Sequence, residues 1–264
     1  MKLFSATLIV FFLWMQSVHA GLIQPPFTAT SALHWDIIKA SDPTAFVCMR
    51  DLKSDRHTVW DKRINGERKI KMYTFSAYYD DQDPVAFVVN QDFASVSDAR
   101  DMSLKVAESL GMVPKGLRKD VGRVAIHSGD EGFHAGGYTE DKGQIVLYRE
   151  MIKRRIDQKH LEESLFHESV HASWDRLVLP SEAWREVQRL DKNYITGYAK
   201  SSPDREDLAE TALLVYGKIL GRLRADVVRT LENLIPLKTL FITDLLEYTS
   251  TTVVESDLSK ISCE

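Results

Sequence analysis

Phe166-His167-Glu168-Ser169-Val170-His171 reads His-Glu-x-x-His. On a helix, residues four apart lie on one face, one turn above the other. His167 and His171 can therefore direct both imidazoles at a single metal ion. Glu168 is rotated by about 100° from His167, which puts its carboxylate beside the metal, where it can hold a water. Zinc suits this set, because two neutral imidazoles, a carboxylate and a water make a catalytic zinc shell with an open position. From His160 to Val178 there is no Gly and no Pro. Leu161 and Leu165 are four apart, and Phe166, Val170, Trp174 and Leu177 continue an apolar stripe at helical spacing. The pattern predicts a helix over 158–176 with both histidines at the edge of the core. The alternative is a surface helix with two unrelated histidines, so the question passes to a third ligand.

Downstream the chain reads Tyr198-Ala199-Lys200-Ser201-Ser202-Pro203-Asp204-Arg205-Glu206-Asp207-Leu208-Ala209-Glu210. Ser202 is a suitable N-cap and Pro203 suits the first helical position, so a helix is expected over 203–220. Glu206 and Glu210 then share a face close to Leu213, Tyr216 and Leu220. Two carboxylates on an apolar stripe are costly unless something positive compensates them. A zinc ion and a zinc-held imidazole would do so, whereas a solvated acidic pair would be mildly repulsive.

Together these residues resemble the gluzincin group of zinc metallopeptidases, over about residues 124–220. The resemblance implies that His167, His171 and Glu206 hold zinc and that Glu168 is the general base. It also implies that Glu210 orients His167; thermolysin-type members have Asp there. The Tyr-Ala segment before Glu206 is similar to the branch typified by the catalytic domain of anthrax lethal factor. In that branch a Tyr stabilises the oxyanion, a role that falls to Tyr198. The implied fold is α+β and zincin-like: a mixed or antiparallel sheet over the active-site helix, with a helical C-terminal half. The strand Gln144–Tyr148 is then expected at the sheet edge beside the cleft, where an extended peptide or protein substrate could pair with it.

Upstream, strands are expected at Phe46–Met49, Lys69–Tyr79 and Val85–Val89, with a turn at Asp80–Pro84. A short helix is expected near Leu33–Ala40, with Trp35 as a core plug. Another follows over 96–111, with Ser97 as N-cap and Ala99, Met102, Val106 and Leu110 inward. Val124–Ile126 reads as a strand and Ser128–Gly137 as a Gly-rich loop, with His127 just before it and His134 within it; they could line a cleft, though a loop histidine is usually only polar surface. His57 reads as a solvated loop histidine. Further helices are expected over 182–192, 222–235 and 237–247.

The chain has 264 residues. Residues 1–20 have the form of a signal peptide: Lys2, an apolar run Leu8–Met15, and Val18-His19-Ala20 at the cleavage site. No cysteine stands at the cleavage site after that run and no later stretch approaches a membrane span, so a secreted protein (extracellular or periplasmic) with no stable membrane anchor is expected. Removing Lys2 from the 34 basic residues leaves −5 against 38 acidic ones, which argues against nucleic acid as a partner. The parts are an N-terminal α/β portion 21–120, a metallopeptidase core 121–248 and a loosely ordered tail 249–264. Two cysteines, Cys48 and Cys263, suggest a disulfide tying the tail to the N-terminal part. The function expected is zinc-dependent peptide hydrolysis. Alternatives are a secreted zinc-binding or adhesion module without catalysis, which would have no use for Glu168, and a zinc hydrolase of non-peptide substrates.

Overall fold

The computed structural model describes residues 23–30, 33–139, 142–251 and 263. The signal peptide expected over residues 1–20, and most of the expected tail, lie outside these residues. The fold is mixed α/β, with a six-stranded mixed sheet and, among the described residues, nine α-helices.

The strands are β1 (Phe46–Asp61), β2 (Gly66–Tyr79), β3 (Gln82–Asn90), β4 (Val121–His127), β5 (His134–Thr139) and β6 (Lys142–Tyr148). Their order is β1-β2-β3-β4-β6-β5. The pairs β3·β4 and β4·β6 are parallel and the others antiparallel. The sheet is thus continuous across residues 120–121. The first two strands exceed the expected apolar runs. In β1 the charged stretch from Arg50 to Arg56 pairs with β2 nearly throughout, which an edge strand with one wet face tolerates. His57 is accordingly not in a loop: it is half-buried in β1, with Nε2 at 3.1 Å from Thr74 Oγ1.

The β1–β2 hairpin curls over the back of the sheet. Arg123 of β4, already paired in the plane to β3 and β6, donates to Thr58 O at 3.2 Å. His127 Nε2 lies 3.0 Å from Trp60 O. A small second core of Val59, Met72, Val88, Ala125, Val146 and Tyr148 fills the curl. The hairpin tip is a short 3-10 turn, Lys62–Ile64, closed by Asn65 at φ 49°. Buried Asp61 anchors it, accepting from Arg63 Nε at 2.9 Å and Nη2 at 2.7 Å. Burial alone would raise the Asp61 pKa, but the bonds from Arg63 outweigh it and bring it to about 2. An unfolded Asp titrates near pH 3.9. The native value is lower, so this stabilisation is complete above about pH 4 and is lost as pH falls toward 2. Urea midpoints between pH 5 and pH 2 should fall more steeply for the parent than for Asp61→Asn.

The helices are α1 (Val96–Leu110), α2 (Lys115–Arg118), α3 (Arg149–Asp157), α4 (Leu161–Trp174), α5 (Glu182–Asp191), α6 (Gly197–Ser201), α7 (Asp207–Ile219), α8 (Ala225–Leu234) and α9 (Pro236–Thr251). The expected inward face of α1 is buried, but its cap is Ser95, which accepts from Asp98 N. All of α4 is buried, so its histidines lie inside the molecule and not at the edge of a stripe. It lies against β6 so closely that a Cβ on Gly143 would meet the Ala172 carbonyl oxygen.

No helix forms over 33–40. There the Glu163 carboxylate accepts from Trp35 N (3.0 Å) and Ile37 N (2.7 Å), so a side chain distant in sequence satisfies the backbone. Trp35 packs edge-on to Phe27 at 5.0 Å, half-buried. Residues 203–206 are turn, not helix, because Thr196 caps α6 and Ser202 terminates it; α7 begins only at Asp207. Strand β5 begins inside the expected Gly-rich loop and runs past its end, and α9 continues through 249–251.

Cys48 and Cys263 are bonded, with Cα atoms 6.1 Å apart, inside the range a disulfide spans. Among the described residues no helix is long and apolar enough to cross a membrane. A non-reduced proteolytic digest should show the Cys48–Cys263 peptide pair by mass spectrometry. Cys48→Ala should lower stability by about 3–5 kcal/mol, because the bond closes a very long loop. Two cysteines that alkylate without prior reduction would exclude the bond.

Candidate metal centre

Helix α4 carries His167 and His171 one turn apart. The turn before α7 brings Glu206 up to them. His167 Nε2 and His171 Nε2 are 3.2 Å apart, and Glu206 Oε2 lies 3.3 Å from the first and 3.2 Å from the second. All three side chains are buried. Nδ1 of His171 is 2.9 Å from Asp175 Oδ2. That assigns the ring proton to Nδ1 and leaves a lone pair on Nε2. On the other ring, His167 Nδ1 lies 3.6 Å from Glu210 Oε1, beyond a hydrogen bond but within ion-pair range. Glu210 also accepts from Thr30 N at 2.7 Å and Thr30 Oγ1 at 2.9 Å, so it holds the N-terminal segment as well as facing His167.

Three lone-pair atoms thus face one another in a buried site. Left alone they repel or must share a proton; a cation between them satisfies all three. Their separations of 3.2–3.3 Å match the edge of a tetrahedron with bonds of 2.0–2.1 Å, which is about 3.3–3.4 Å. This residue set is therefore one that could hold a metal ion. The electrostatics agree. Burial alone would lower the His171 pKa, yet hydrogen bonds to Asp175 and Glu206 raise it to about 10, so without a metal ion a proton on Nε2 supplies the positive charge that a bound cation would replace. Burial would raise Glu206, yet His167 and His171 hold its carboxyl well below the usual range. The site draws positive charge.

An open cleft of about 370 Å³ lies over these atoms. Glu168, 8% exposed, faces into it from α4. Tyr198 of α6 lines it and is 39% exposed. Burial first, then the charge and hydrogen bond of Glu206, raise the Tyr198 phenol well above its ordinary value. The hairpin tip supplies Trp60 and Lys62, and β5 supplies His134 and Ala135. Arg205 Nη2 is 3.2 Å from His134 Nδ1. Burial, then the charges of Lys62 and Arg205, lower the His134 pKa to about 4, so it is neutral near pH 7 and accepts from Arg205. A cavity of similar volume, about 390 Å³ beside Gln24 and Arg229, gathers no such set.

The structure brings together every residue expected at the metal: His167, Glu168, His171, Tyr198, Glu206 and Glu210. It corrects the sheet edge. The strand containing Gln144–Tyr148 is interior, between β4 and β5, and the edge beside the cleft is β5. Sequence reasoning missed Asp175, although an acid four residues after the second histidine was a usable signal. Nothing local marked Lys62 or Thr30. His127 is buried against Trp60 O and has no place in the cleft. A second His/Glu group, His34, His160 and Glu163, lies outside the cleft. There Glu163 is engaged by Trp35 N, Ile37 N and His160 Nδ1, which gives it a structural task. No protein-family model, curated protein or solved structure matches the chain.

Proposed function

We propose that the chain is a secreted, zinc-dependent peptidase of gluzincin type with a zincin-like fold. The observation that carries the reading is the set of three converging lone pairs on His167, His171 and Glu206, with an uncommitted carboxylate, Glu168, beside them in an open cleft. Zinc suits two imidazoles and a carboxylate, and when bound it supplies Lewis acidity and a water of lowered pKa. Glu168 takes the proton of the attacking water and returns it to the leaving amine. Tyr198 donates to the developing oxyanion. Asp175 fixes the His171 imidazole by a hydrogen bond to its far nitrogen, and Glu210 faces the far nitrogen of His167 as a charge partner. The exposed edge of β5 can add an extended peptide as a further strand. Export follows from the form of residues 1–20 and agrees with a disulfide.

The test is metal content of the purified mature chain, alongside cleavage of a broad peptide library with and without a chelator. About one zinc per chain and chelator-sensitive cleavage support the reading. Bound zinc with no hydrolysis of any substrate makes the chain a binding module; hydrolysis confined to non-peptide substrates redirects the reading to another zinc hydrolase. Tyr198→Phe should keep the zinc and lower cleavage by about 10–10³-fold, the range for one oxyanion donor. Unchanged cleavage removes Tyr198 from the reaction.

A further inference from the structure

Two exposed cations line the cleft. Lys62 comes from the hairpin tip and Arg205 from the turn before Glu206. The Lys62 backbone is fixed, its N–H donating to Tyr148 Oη at 2.6 Å. Its Nζ donates to Gly132 O at 2.9 Å and Phe133 O at 2.8 Å. Both partners are neutral carbonyls, and an ammonium has three donors. Among the described residues no carboxylate pairs with this Nζ. Arg205 has five donors; Nη2 serves His134, and Nε lies 3.5 Å from Glu206 Oε1. Against these cations the lining residues set two carboxylates, Glu168 and Glu206. A divalent ion in the site would tip that balance to positive and favour an anionic group over a cationic one.

We propose that Lys62, with Arg205, selects substrates that place a carboxylate in this cleft, either an acidic side chain or the C-terminal carboxylate. The inference rests on the peptidase reading and names its substrate class. The plainer role for Lys62 is a clip joining the hairpin tip to residues 132–133; a clip sets no preference for substrate charge.

The experiment uses the zinc-loaded mature chain on a randomised peptide library, once with free C-termini and once amidated. Asp or Glu should be enriched about 10–100-fold over Lys at one position near the cleaved bond, the range for a hydrogen bond to a charged group. If the C-terminal carboxylate is the ligand, cleavage is instead lost to a similar extent in the amidated library. Lys62→Glu, with zinc content as the check on folding, should reverse the charge preference, and Lys62→Arg should keep it. Cleavage without any carboxylate preference, or a preference that survives Lys62→Glu, overturns the inference and leaves the peptidase reading standing. If no library is cleaved, the peptidase reading fails by itself. Calorimetric titration with glutarate then decides the inference: binding lost in Lys62→Glu supports a carboxylate site, and no binding by the parent overturns it.

Discussion

Glu168→Gln is expected to retain zinc and fold and to lose hydrolysis by about 10²–10⁴-fold, the range for a positioned general base. The substitution keeps shape and hydrogen-bonding reach and removes only the ability to accept a proton. The ligands His167, His171 and Glu206 are untouched, as is the α4 packing of Phe166, Val170 and Trp174. Glu168 makes no side-chain hydrogen bond that the change would break among the described residues, and it faces the cleft rather than the core. The measurement is chelator-sensitive cleavage at equal zinc occupancy, with zinc content determined on the same samples. Should the variant cleave as well as the parent, the mechanism is wrong, and the chain is better read as a binding module.

The largest effect on metal is expected from the ligands themselves. His167→Ala, His171→Ala or Glu206→Ala should each remove most of the bound zinc, because each deletes one of three donors. Asp175→Asn should weaken zinc by about 10–100-fold without abolishing it, since it acts through the orientation of His171. Glu210→Ala should also weaken zinc, and it carries a second cost in losing Thr30. Competition with a calibrated chelator reads all five variants. Full zinc in Glu206→Ala together with its loss in Glu210→Ala would place the ligand one turn further along α7.

Much of the centre was legible because its information is local. The i,i+4 spacing of His167 and His171 needs only a helix, and a Pro- and Gly-free stretch with apolar periodicity supplies one. The pairing of Glu206 and Glu210 was noticed for a helical reason that holds only in part. Glu206 stands at the start of α7, not within it, so the residue that lies beside the two histidines was singled out through a misplaced boundary. The disulfide followed from an even count of cysteines in a chain that looked exported.

What the chain could not announce locally was decided by partners far away in sequence. The segment after Leu33 is not helical because Glu163 takes its N–H groups, and neither Trp35 nor Ile37 carries a sign of that. Strand β5 resembled a loop because Gly136 and Gly137 punctuate it with positive φ; only pairing to β6 makes it a strand, and with it the edge of the cleft. Lys62 lies more than a hundred residues before His167 in a charged hairpin with no motif. It reaches the cleft only because the hairpin curls over the sheet and Asp61 locks its tip. The sequence by itself determined the helix that carries His167 and His171 one turn apart, since helical periodicity is a property of neighbouring residues. The tertiary structure alone decided which strand edges the cleft and which cations rim it, since those depend on long-range pairing and on the curl of the sheet.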